Sequence, residues 1–139
     1  MILMKIVISE PTTKKAYQIE VDAAKSSALI GKKISEEFAG DLIGLNGYML
    51  KITGGSDNGG FPMRPEIPGM ARRAFILKGT PGFHPKLKGQ QKRKLICGNT
   101  ISQSIVQVNT KVIKTGEKSL EEIAPKTEKK EEKKEEAKK

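Results

Sequence analysis

The sequence predicts a mainly β fold: a small closed β-barrel of short strands with one short helix, basic loops and a disordered charged C-terminal tail. Three observations predict it. Apolar and polar residues alternate over short runs, Gly and Pro clusters separate those runs, and only one stretch has helical spacing. A chain of 139 residues ending in a Lys/Glu tract has room for one core, placed in 1–125, with 126–139 as the tail. The strand pattern fits a small closed barrel or a compact sandwich, and closure is expected because it removes exposed strand edges.

The elements follow in order. Leu3–Ile8 is an apolar run of strand length, and Pro11 with Thr12 and Thr13 makes a turn. Ala16–Val21 alternates, with Tyr17, Ile19 and Val21 on one face and Gln18 and Glu20 on the other, so the two runs form a hairpin. Ser26–Phe38 is the predicted helix. Ile30, Ile34 and Phe38 recur every four residues, Ser26 or Ser27 caps it, and Lys32–Glu36 and Lys33–Glu37 are opposite-charge i,i+4 pairs ending at Gly40. Tyr48–Ile52 is a strand, and Gly54–Gly60 reads as a glycine-rich turn. Ala74–Lys78, Leu95–Cys97 and Ile105–Ile113 complete the β content, the last with Val106, Val108 and Val112 alternating against Gln107, Asn109 and Lys111. In the tail, Lys129–Glu136 repeats K-K-E-E, which sets like charges at i,i+4. With no apolar anchor it is expected to stay unfolded.

Charge gives the first functional clue. The formal net charge is +10, but residues 1–63 balance seven Lys against seven acids, and 95–125 are neutral as well. Residues 64–94 hold Arg64, Arg72, Arg73, Lys78, Lys86, Lys88, Lys92, Arg93 and Lys94 against Glu66 alone. A one-signed window inside a neutral frame repels itself unless a polyanion compensates it. Its Gly and Pro content makes it loops around a short strand rather than a basic helix for a groove. Aromatic residues are only 4% of the chain, which argues against stacking on unpaired bases and leaves phosphate and shape recognition open.

Other chemistries are excluded. One cysteine, Cys97, allows no internal disulfide and fits a reducing, cytoplasmic setting; no signal peptide and no apolar run of about 20 residues is present. Cys97 and His84 are single, too few for a structural zinc site and without an orienting partner for a nucleophile–base dyad. Cys97 reads as a core residue and His84 as a loop residue near RNA. Gly31-Lys32-Lys33 lacks the rest of a phosphate loop. No enzyme activity and no cofactor are expected.

Ile52-Thr53-Gly54-Gly55-Ser56-Asp57-Asn58-Gly59-Gly60-Phe61-Pro62-Met63 carries more specific information. It resembles the signature of the archaeal and eukaryotic small-subunit ribosomal protein S6e family: apolar, small, Gly-Gly, any, Asp, two of any, Gly, any, Pro-Met. Met4-Lys5-Ile6-Val7-Ile8-Ser9 with Pro11, Ile19-Glu20-Val21-Asp22, Gly47-Tyr48, Arg93-Lys94 and Val112–Lys118 are also similar to that family, so the resemblance covers roughly 4–125. Met1–Leu3 precede the family's usual start and leave Met4 as a second candidate initiator. The long basic extension of eukaryotic members, with its phosphorylated serines, is missing. The length resembles archaeal members, and no kinase-signalling role is carried over. The resemblance implies a structural constituent of the small ribosomal subunit in the cytoplasm. It binds 16S-type rRNA beside neighbouring ribosomal proteins, as a monomer within the ribosome and away from membranes.

Within the motif, Gly54, Gly55, Gly59 and Gly60 are expected to supply positive φ or close backbone approach, and Asp57 to close a turn on its own backbone. Phe61 and Met63 then pin the loop to the core beside Pro62. A functional reading has the glycine amides meeting phosphates while the loop delivers Arg64. The expected rRNA-binding set is Arg64, Arg72, Arg73, Lys78, His84, Lys86, Lys88, Lys92, Arg93 and Lys94. A free-standing RNA-binding translation or processing factor is the alternative, and it predicts discrimination by base.

Overall fold

The computed structural model describes residues 4–116 and 119–120; the Lys/Glu tail expected over 126–139 lies outside them. β1 (Met4–Glu10) and β2 (Lys15–Val21) form the expected hairpin, Met4 opposite Val21 and Glu10 opposite Lys15. Tyr17 and Val21 are buried while Gln18 and Glu20 are exposed, as the alternation requires. After β3 (Glu37–Ala39) comes β4 (Met49–Asp57), then β5 (Arg72–Leu77), β6 (Lys92–Cys97) and β7 (Ile105–Lys114). β7 runs parallel to β1 and antiparallel to β4, which gives a five-stranded sheet in the order β2-β1-β7-β4-β3.

The expected barrel does not form. The sheet is open, ending at β2 on one side and at the three-residue β3 on the other. β5 and β6 form a separate two-stranded ribbon, joined to the segment after β4 by the Met63–Cys97 bridge. The reason lies in their side chains. β5 begins Arg72-Arg73 and β6 begins Lys92-Arg93-Lys94, and apart from Arg72, which meets Asp57, such cations would lack counter-charges in a closed interior. Gly40–Ile43 is a 3₁₀ turn, and Asp41 Oδ1 accepts the Gly47 amide at 3.1 Å.

The helix expected over Ser26–Phe38 is also corrected. The helix, α1, is Ala23–Ser26, continued by a 3₁₀ turn at Ser27–Leu29. Gly31 (φ 90°) and Ser35 (φ 75°) then break any helical path, and Phe38 lies in β3. Tertiary hydrogen bonds override the local propensity: Gly31 N–H donates to Ile101 O, Ile101 N–H to Lys32 O and Ile34 N–H to Asn99 O, each at 2.9 Å. The Lys32–Glu36 ion pair forms nonetheless, at 3.8 Å, across a turn.

The main core lies on one face of the sheet. Ile6, Ile8, Leu50, Ile52, Val108 and Val112 pack there, covered by Leu29, Ile43, Leu45, Met63, Ile101 and Leu120 from the connecting segments. Leu77, Phe83 and Ile96, with Ile67 against them, make a second, smaller cluster under the β5–β6 ribbon. The basic ribbon therefore carries its own small core beside the sheet.

Candidate nucleic-acid interface

The glycine-rich motif is the seam between sheet and ribbon. It is not a turn throughout: β4 continues through Gly54-Gly55-Ser56 to Asp57, and only then does the chain reverse. Asp57 N–H donates to Phe61 O at 3.1 Å and Gly60 N–H to Asp57 O at 3.0 Å, with Gly60 at φ 80°. Beyond the turn, Met63 N–H donates to Gly55 O at 3.0 Å on the sheet side. Arg64 N–H donates to Cys97 O at 3.1 Å and Cys97 N–H to Pro62 O at 2.9 Å on the ribbon side.

Asp57 holds this seam with its side chain, which is 1% exposed. Oδ1 accepts the amides of Gly59 (2.8 Å) and Phe61 (3.1 Å), the turn closure read from the sequence. Oδ2 accepts Arg72 Nε at 2.8 Å and Cys97 Sγ–H at 3.2 Å. Arg72 and Cys97 are the first cross-strand pair of the ribbon, so one carboxylate grips both of its strands at the base. The Arg72 guanidinium also lies 4.6 Å from the Phe61 ring centroid and donates to Asn58 Oδ1 at 3.3 Å. Burial raises the Asp57 pKa, but the hydrogen bonds from Cys97, Phe61, Arg72 and Gly59 outweigh it and hold the carboxyl below its ordinary 3.8.

Burial and the neighbouring Asp57 carboxylate push the Cys97 thiol up to about 11. Thiolate is the nucleophile, so Cys97 is expected to resist iodoacetamide at neutral pH until the domain unfolds. Mass spectrometry after alkylation with and without denaturant checks this, and rapid labelling of the folded chain would contradict the buried Asp57–Cys97 contact.

The expected rRNA-binding residues divide in two. Arg72 is engaged with Asp57, and Arg64 is largely buried, with Nε 3.0 Å from Glu66 Oε2 and a guanidinium N–H donating to Thr80 O at 3.3 Å. Both brace the ribbon. Arg73, Lys92 and Arg93 are exposed on the strands; Lys78, His84, Lys86 and Lys88 are exposed in or at the ends of the connecting loop; and Lys94 is half-buried. Lys86 N–H donates to Gln90 Oε1 at 2.8 Å, which closes the loop on itself. From Ile67 to Gly116 the chain contains no acidic residue, so these cations face no negative charge of their own segment. Sequence reasoning named no role for the exposed apolar residues between them, Ile76 and Leu95, since strand length and composition do not say which face meets water.

Among the motif glycines, Gly55 meets the sheet closely: a Cβ there would lie 2.5 Å from Gln107 O and 3.1 Å from Met63 Sδ. Gly54 has neither a positive φ nor any atom within 4 Å of such a Cβ, so the expected constraint does not apply there. No cluster of three or more metal-ligating side chains occurs among the described residues, and none of their helices is long and apolar enough to cross a membrane.

A family model described as ribosomal protein S6e matches residues 4–125. The chain belongs to the ribosomal protein S6e family. It is 50% identical over 127 residues to a Methanocella arvoryzae protein named small ribosomal subunit protein eS6, covering 91% of this chain and 89% of that one. The protein of that name from Methanocaldococcus jannaschii is 50% identical over 119 residues, 86% of this chain and 88% of its own. The one from Archaeoglobus fulgidus is 51% identical over 120 residues, 86% and 93% respectively. An S6e protein is a ribosomal structural protein and not an enzyme. The glycine-rich stretch of residues 54–60 thus falls on the joint that fixes the basic ribbon to the sheet.

Proposed function

We propose that the chain is an integral constituent of the small ribosomal subunit, in the cytoplasm, and that it holds 16S-type rRNA through the β5–β6 ribbon and its loop. It acts as a monomer beside neighbouring ribosomal proteins. The observation that carries the rRNA contact is the ribbon's one-signed surface: exposed Arg73, Lys78, Lys86, Lys88, Lys92 and Arg93, with His84 among them, on a segment free of acids. RNA segments that approach one another repel, and a rigid cationic ribbon between them offsets that repulsion by neutralising phosphates. Asp57 supplies the rigidity, since it ties both ribbon strands to the sheet. Relatives at about half identity over most of the chain, named as small-subunit proteins, support the location.

Sedimentation of the tagged protein in a cell extract tests the reading. Co-migration with the small subunit that survives a high-salt wash is the expected result; slow sedimentation away from subunits would favour a free-standing RNA-binding factor. The electrostatic part has its own test. Replacing Arg73, Lys78, Lys92 and Arg93 together by Ala should make the salt dependence of rRNA binding shallower by about 3 in log–log slope, at roughly 0.7–0.9 per lost phosphate contact. An unchanged slope would remove the ribbon from the interface.

A further inference from the structure

The ribbon carries a patch that charge alone does not explain. Directly opposed residues of an antiparallel pair project to the same face, so Arg72, Ala74 and Ile76 share a face with Arg93, Leu95 and Cys97. At the base of that face, Arg72 and Cys97 sit on Asp57. Farther out the same face is uncovered: Ile76 is 68% exposed, Leu95 is 44% exposed, and Arg93, the direct partner of Ile76, is exposed. Two large aliphatic side chains and an arginine are thus held in a planar array on a two-stranded ribbon with no acid near it in sequence. The opposite face is different, for Leu77 and Ile96 there are buried in the small cluster with Phe83.

We infer that this face lies in a shallow groove of folded rRNA, with Ile76 and Leu95 against ribose and base edges and Arg93 on the adjoining phosphates. The inference rests on the rRNA-binding reading above and adds how the uncovered face of the ribbon takes part. Charge complementarity favours a polyanion as the occupant, because the array holds the exposed Arg93 and its segment from 67 to 116 contains no acid. The wide, shallow minor groove of A-form RNA displays ribose surface that a flat ribbon of strands about 4.8 Å apart can follow, whereas its deep, narrow major groove excludes side chains. Apolar contact of this kind contributes affinity that does not depend on salt, unlike the phosphate contacts.

The salt signature separates the two contributions. In titrations of the full chain with small-subunit rRNA over a salt series, Ile76→Ser combined with Leu95→Ser should weaken binding about tenfold at every salt concentration with the slope unchanged. Arg93→Ala should instead make the slope shallower by about 0.7–0.9. Ile76→Thr, which keeps a β-branched side chain, should fall between wild type and the double variant, with all melting temperatures close to wild type because these side chains lie outside both cores. Unaltered rRNA affinity in the double variant would overturn the inference and leave the proposed function standing. If that variant also failed to enter subunits, the face would belong to a protein neighbour. Failure of the unaltered chain to bind rRNA would remove both readings.

Discussion

Asp57→Asn is expected to lower the melting temperature of the free domain by roughly 10–20 °C at neutral pH, the largest loss from any near-isosteric change in the molecule. The amide retains one oxygen for the Gly59 and Phe61 N–H groups. Its nitrogen, however, turns donor protons toward Arg72 Nε and the Cys97 thiol, where Oδ2 accepted two hydrogen bonds. Losing charge-assisted bonds at a buried site and leaving donors unpaired costs about 3 kcal/mol. Arg72→Ala should be comparable, since it leaves the buried carboxylate without its cation. The double variant should cost less than the sum of the two, because both remove one contact. The pH dependence follows from the depressed Asp57 pKa. A carboxyl held below its unfolded value contributes stability above about pH 4, and loses it as pH falls through the lower folded value. Thermal melts of wild type and Asp57→Asn should therefore converge as the solution is acidified below pH 4. Parallel curves at all pH values would show that the carboxylate's charge does not hold the seam.

Gly55→Val and Gly54→Val should behave oppositely, although they are neighbours in one motif. At Gly55 the added Cβ meets the Gln107 carbonyl at 2.5 Å, and neither β4 nor β7 can retreat without breaking the central ladder. We expect a loss of about 3 kcal/mol or more, or no folded protein, by overpacking against backbone. At Gly54 nothing lies within 4 Å and φ is not positive, so a side chain is accommodated. Gly54→Ala should raise stability by about 0.4–1 kcal/mol, since it reduces the freedom of the unfolded chain in a strand any residue can adopt. Chemical denaturation of the three variants checks this, and equal destabilisation at both positions would refute the close approach at Gly55.

What the sequence disclosed depended on whether the forces at work were local. The β1–β2 hairpin is legible from the alternation Tyr17, Ile19, Val21, because one face of that strand meets the core and the other meets water. The helix predicted over Ser26–Phe38 is misleading, because its backbone donors are taken by residues 99–101, about seventy positions away, and no window of local spacing contains them. Barrel closure was expected from the short strands and the exposed edges it would remove, whereas the cations on β5 and β6 go with strands held in a separate ribbon. The basic window itself was plain in the charge distribution. The bracing roles of Arg72 and Arg64 were hidden there, since an arginine engaged with a carboxylate and one free for phosphate look the same in sequence. Asp57 was legible as a turn residue, but its reach to Cys97, forty positions on, was not.

The position of β7 bears on when this protein folds. The last strand among the described residues lies between β1 and β4 and joins them, pairing in parallel with the first. During synthesis a nascent chain stopped before Ile105 holds the β1–β2 hairpin and the β3–β4 pair as two half-sheets with no strand between them. Neither half can bury its apolar face alone. The β5–β6 ribbon, by contrast, is local in sequence and is finished once Cys97 has emerged. The order of translation therefore completes the cationic hairpin while the rest of the molecule is still open. Only the emergence of β7 joins the two halves, so the five-stranded sheet is unavailable to the assembling subunit until Lys114 has been made.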